Sequence, residues 1–133
     1  MGRRRTARME LDITRLAREN EIDLHWTEHR WDAEAFPELR QAIVPRIRNV
    51  GDYLLGLHEL GHVLAPEARA YDQDTAVYAC LLTEGAAWAW AMANAAPEFV
   101  AVAKDEDWAT VHEAIGSHYR WAALCPTRAP DEV

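Results

Sequence analysis

Residues 54–64 read "LLGLHELGHVL", which sets His58 and His62 four positions apart in an apolar run, with Glu59 beside the first histidine. Positions i and i+4 of an α-helix share one face a turn apart, so both imidazoles can aim at one point. Neutral imidazole is a good zinc donor, and Glu59, about 100° around the helix from His58, can reach a water held at the same place. HExxH divides the labour in this way, into two ligands and a carboxylate base. The competing reading is a core helix whose histidines are satisfied by ordinary hydrogen bonds. The setting speaks against it, because three uncompensated polar side chains between "YLLGL" and "VL" are expensive to bury. A structural or regulatory metal without hydrolysis is the other alternative.

Two histidines do not complete a catalytic zinc site, which ordinarily has three protein ligands and an open water position. The continuation "HELGHVLAPEARAYDQD" holds no third histidine. Glu84 is the best remaining donor: in "LLTEGAAWAWAM" it is the only acidic residue between Thr75 and Pro97. A carboxylate in such apolar company needs a metal or a partner, and the partner could be Arg46, Arg48 or a helix end. His112 is a further candidate for the third position. Asp72 and Asp74 are weaker ones, since they stand where a helix cap is required, though either can orient a zinc-bound histidine.

Outward from the motif, Asn49 or Asp52 can cap its helix and Pro66 stops it. Asp72 or Asp74 can cap the next one, "TAVYACLLTEGAAWAWAMANA", which Asn94 and Pro97 end. There Val77, Leu81, Trp88, Ala91 and Ala95 share a face, and Trp88 and Trp90 read as core or pocket wall. After "KDEDW" a further helix carries Trp108, Val111, Ile115, Tyr119 and Ala122 at helical spacing, Trp108, His112, Ile115 and Tyr119 form another stripe on it, and His118 points to a neighbouring face. Before the motif, Met9, Ile13, Leu16 and Ala17 predict a helix over 8–20, and "EIDLHW" alternates like a strand. A second extended segment lies within "FPELRQAIVPRIRNV", where Pro45 lacks an amide donor and so predicts a sheet edge or an irregular arm. Gly56 and Gly61 permit close approach of another element.

The expected fold is therefore α+β, with an N-terminal helix, a short mixed or antiparallel sheet and a C-terminal cluster of three helices that includes the HExxH helix. One domain over 1–133 accounts for it, with 1–7 and 127–133 as flexible tails. A chain of 133 residues, half of them hydrophobic, can bury one core. Its formal charge of −8 argues against binding nucleic acid by phosphate neutralisation, and "GRRRTAR" is the only basic cluster. No run reaches the roughly 18 apolar residues of a membrane span, and the opening lacks the apolar core of a secretory signal. The two cysteines, Cys80 and Cys125, follow no CxxC spacing and fit free thiols in a reducing, cytoplasmic compartment, with one disulfide as the alternative.

With "HELGH" at 58–62 and "EGAAWAWAM" from Glu84, preceded by an initial helix and short strands, the chain resembles the zincins. More narrowly it is similar to a minimal gluzincin of the ImmA/IrrE-like metallopeptidase type found in bacteria and phages. The resemblance implies zinc on His58, His62 and Glu84, with Glu59 as the base for cleavage of a peptide or protein substrate. The residues themselves suggest His112 or Tyr119 as a donor to the oxyanion that develops in that reaction, and "QAIVPRIR" as an edge along which a peptide could pair. After Glu84 the second acidic residue and the Asn or Asp often found in that family are missing, and there is no helix-turn-helix module. The resemblance thus extends to the metal and stops short of a repressor substrate.

Overall fold

The structure is a computed structural model that describes residues 2–65 and 76–122. Helix α1 (Gly2–Glu19) leads into strand β1 (Asp23–Thr27), followed by β2 (Glu34–Phe36) and β3 (Gln41–Pro45). Four helices complete the described chain: α2 (Val50–Leu64), α3 (Ala76–Asn94), the single-turn α4 (Pro97–Val100) and α5 (Asp105–Ala122). Single turns of 3-10 helix at Arg30–Asp32 and Pro37–Leu39 flank β2. This is the α+β layout expected from the sequence. Helix α1 begins at Gly2, so residues 2–7, expected as a tail, extend the helix. Pro66, Asp72, Asp74, Cys125 and the tail 127–133 lie outside the described residues, as do the side chains of Val77 and Cys80.

Met9, Ile13 and Ala17 are buried at four-residue spacing and form the stripe that docks α1. The helix ends with Glu21 at φ 57°, Ile22 N donating to the Ala17 carbonyl at 2.8 Å and Glu21 N to that of Arg18 at 3.2 Å. This left-handed cap closes the last turn, and the buried Ile22 seats beside Ala17 to begin the sheet.

In the sheet the strand order is β1-β3-β2, with β1 parallel and β2 antiparallel to β3. The strand that carries Pro45 is thus central, contrary to the expectation that the proline would place it at an edge. Backbone amides alternate in direction along a strand. Arg46 N donates to Thr27 in β1 at 2.9 Å, so the Pro45 nitrogen faces the other side, beyond Glu34, where the pairing with β2 has already ended. No ladder bond is lost. Ala42 and Val44 of β3 are fully buried under α2.

Helix α2 is enclosed almost all round, by the sheet and α1 on one side and by α3 and α5 on the other. Its residues are therefore apolar on every face rather than along one stripe. Asn49 is the cap, its Oδ1 accepting from Asp52 N at 2.9 Å. Asp52, fully buried, accepts instead from Arg48 N at 3.0 Å and from Arg30 Nε at 2.7 Å, which ties the turn before β2 to the start of α2. Tyr53 donates to Asp12 Oδ2 at 2.6 Å and accepts from Ala96 N at 3.0 Å, joining α1, α2 and the approach to α4. Gly61 explains the closeness of α2 and α3: a Cβ there would stand 2.6 Å from the Ala87 carbonyl oxygen.

Candidate metal centre

On α2, the buried His58 and Glu59 and the partly buried His62 project toward α3, where Glu84 faces them. His58 Nε2 lies 3.1 Å from Glu84 Oε1, His62 Nε2 lies 2.9 Å from Glu84 Oε2, and the two Nε2 atoms are 3.1 Å apart. Donors around a tetrahedral zinc at about 2.05 Å stand roughly 3.3 Å from one another. The observed separations approach that edge length. Glu84 Oε1 is buried without a hydrogen bond despite its nearness to His58, as atoms that point to a shared third position would be. Glu59 Oε1 is 3.8 Å from His58 Nε2.

Arg46 and Arg48, the alternative partners for Glu84, both bind Glu28, at 2.7 and 3.2 Å. The histidines are therefore what accounts for a carboxylate in this apolar helix. Trp88 is buried and stacks on the His58 ring at 4.1 Å between centroids, so it belongs to both core and pocket wall, while Trp90 is partly buried against the core.

Burial acts on these groups in opposite senses. It pushes His58 down to about 3, against the pull of Glu84, so the imidazole is held in the neutral form that ligates metal. It pushes Glu59 up to about 8, partly opposed by His62. Burial would raise Glu84 too, but the His58 and His62 imidazoles beside it outweigh it and hold the carboxyl well below its usual range. For His62 burial is likewise outweighed, by bonding and charge from Glu84, and the net direction is upward. Both histidines line one cleft, and they diverge because His58 is fully buried whereas His62 is partly exposed.

That cleft has a volume of about 620 Å³ and reaches from Glu59, His62 and Glu84 to Arg30, Trp31 and Glu34 on the β2 side. It also reaches His118 of α5, expected from the sequence on a neighbouring face of that helix. His118 Nδ1 lies 3.4 Å from Glu84 Oε1, and its ring stacks on His58 at 4.7 Å. Among the described residues two sets place their ligand atoms within 4.8 Å of one another: His58, Glu59 and His62, and His58, Glu84 and His118.

His112 and Tyr119 are absent from the cleft wall. Val111 and Ala114 of α5 are buried and Trp108 and Ile115 are partly buried against the core, so Trp108, Val111 and Ile115 pack as expected from the sequence, while His118 rather than His112 reaches the cleft. His112 is consequently exposed, which removes it as a third ligand, and Tyr119 rests its hydroxyl beside Gly85, the neighbour of Glu84. The small, buried Ala114 one turn before His118 was the signal available for the correct phase.

The His58-Glu59-x-x-His62 cluster, with a third donor from Glu84 or His118, matches an HExxH-like zincin metal-binding arrangement. Its geometry is consistent with a catalytic zinc site, and the fold around it is the minimal α+β form expected for one. Comparisons with family models, curated proteins and solved structures find no match to this chain.

Proposed function

We propose that the chain is a zinc-dependent metallopeptidase, with His58, His62 and Glu84 as metal ligands and Glu59 as general base. The observation that carries this reading is the convergence of His58 Nε2, His62 Nε2 and the Glu84 carboxylate within 2.9–3.1 Å, at a cleft that Glu59 also lines. Neutral imidazoles and an ionised carboxylate are the donor set zinc prefers. Zinc held there supplies a Lewis acid that acidifies water and polarises the scissile carbonyl.

The chain's own residues do the rest. Glu59 accepts a proton from the attacking water and delivers it to the departing amine. Glu84 balances the positive charge and fixes the donors. Neither His112, which is exposed, nor Tyr119, whose hydroxyl rests beside Gly85 outside the cleft wall, is retained as a donor for the developing oxyanion. Because β3 is interior, the edge on which a peptide adds as a strand is β2 at Glu34–Phe36, and Glu34 and Ala35 line the cleft. The cleft's size suits a peptide segment. No helix among the described residues is long and apolar enough to cross a membrane. We place the protein in the cytoplasm, acting on a peptide or protein rather than on nucleic acid or membrane.

The test is metal content and hydrolysis together. One zinc per chain, lost in His58→Ala and His62→Ala, and cleavage of a peptide library that Glu59→Gln abolishes while keeping zinc, is the expected result. Zinc with no cleavage by the native chain would favour the second reading, a metal-stabilised regulatory or protein-binding domain. That reading has one observation in its favour, the nearness of His118 to the ligand cluster.

A further inference from the structure

His118 approaches the ligand cluster from α5, a different element from those that carry the HExxH motif and Glu84. Its Nδ1 is buried and lies 3.4 Å from Glu84 Oε1, close to the roughly 3.3 Å edge of a zinc tetrahedron. Neither atom makes a hydrogen bond. A histidine that merely steadied Glu84 would donate its N–H to that oxygen, and a structural histidine would find some other partner. Instead two unsatisfied buried atoms stand side by side, one of them on a residue only 7% exposed. The His118 ring lies nearly parallel to that of His58, at 16°, and His58, Glu84 and His118 together bring one ligand atom each within 4.8 Å.

We propose that His118 is a fourth protein ligand, and that the conformation described is a closed form of the metal centre with His58, His62, Glu84 and His118 around the ion. This rests on the zinc reading above and adds regulation to it. Four protein donors make a saturated tetrahedron with no position for water. Hydrolysis then requires His118 to withdraw, so the placement of α5 controls whether the centre is latent or active.

The experiment compares the native chain with His118→Phe, which keeps a ring to stack on His58 but has no donor, and with His118→Ala as a second variant, folding being checked by circular dichroism. Zinc affinity is measured by competition with a chromophoric chelator, and access to the ion by titrating azide into the cobalt-substituted protein while following its visible spectrum. The expected result is a zinc affinity at least tenfold weaker in both variants, with a cobalt spectrum that responds to azide in the variants and is indifferent to it in the native chain. Equal zinc affinities, with azide perturbing native and variant spectra alike, would overturn the fourth-ligand assignment and leave the peptidase reading standing. A folded native chain that takes up neither zinc nor cobalt would overturn both.

Discussion

Replacing Glu59 by Gln should stabilise the metal-free protein, and more so as the pH rises. Glu59 is buried, and burial lifts its folded-state pKa to about 8 from an ordinary 4.5. A group raised in this way contributes stability that is complete below its unfolded pKa and is lost as the pH climbs through its folded one. The loss therefore falls between about pH 4.5 and 8. Each pH unit inside that interval is worth about 1.4 kcal/mol, so at pH 7 the full effect is about 3 kcal/mol. Solvent in the cleft reduces it, and about 1–3 kcal/mol is the expected range. Gln has nearly the same shape and does not titrate. The assay is urea denaturation in chelator, followed by tryptophan fluorescence, for both proteins at several values between pH 5 and 8. The stability gap should widen with pH and shrink when zinc is added, because a cation among His58, His62 and Glu84 favours the ionised form of a nearby carboxyl. Peptide hydrolysis by the zinc-loaded variant should drop at least about 100-fold, the range of a lost general base. Parallel stability curves across this pH range would show that Glu59 is not held in an environment that opposes its charge, and the reasoning would fail.

Gly61→Ala should cost about 1–3 kcal/mol and weaken zinc binding, since the new methyl meets the Ala87 carbonyl oxygen at 2.6 Å and must push α3, with Glu84, away. Gly56→Ala should cost less than Gly61→Ala in the same denaturation assay: its methyl meets the Cδ1 end of the buried Ile13 at 2.8 Å, a side chain and not a backbone, and about 1 kcal/mol of helix propensity offsets the strain. Arg30→Ala should destabilise by about 2 kcal/mol, because Asp52 is wholly buried and loses its charged partner, whereas Glu28→Ala, which breaks exposed pairs with Arg46 and Arg48, should change stability by less than about 0.5 kcal/mol. Removing zinc from a sample held at about 1,000 times its dissociation constant should cost about 4 kcal/mol, seen as a fall in melting temperature that zinc and not magnesium restores. Tyr119→Phe should leave kcat and zinc affinity within about twofold of the native chain, because its hydroxyl lies outside the cleft wall, and a fall of about 100-fold in kcat would refute that placement.

The cluster on α2 was legible because helical spacing is local: His58, Glu59 and His62 owe their nearness to five consecutive positions. Glu84 was legible for a different reason, as a lone acid in an apolar helix that had to be compensated. Local pattern failed where partners decide the outcome. Pro45 sits in the central strand because the neighbouring strand ends before its nitrogen, a fact about β2 that nothing in "QAIVPRIR" encodes. The three-residue β2 is too short to show a period at all. On α5 both Val111–Ala114–His118 and Trp108–His112–Ile115 make acceptable stripes, and the choice between them turns on which face meets α2 and α3. A difference of one residue in phase, about 100°, decides whether His118 or His112 faces the cleft.

One environment also explains why these groups form a working set rather than a collection of costly burials. The low-dielectric contact between α2 and α3 holds His58 neutral, and its histidine neighbours hold Glu84 ionised, so these two donors are in their ligating states before any metal arrives, while His62, raised by Glu84, gives up its proton to an arriving metal. The same burial keeps Glu59 protonated near neutrality, so the base is idle in the metal-free chain. A cation reverses the second effect without undoing the first: it adds positive charge beside Glu59 while consuming the lone pairs that burial has preserved. Readiness to bind thus precedes readiness to react, and the order follows from a single physical cause acting on an imidazole and a carboxyl of opposite charge type. A core that merely tolerated two histidines would have no reason to place one oxygen of Glu84 against each of them, nor to leave its Oε1 unsatisfied beside His58.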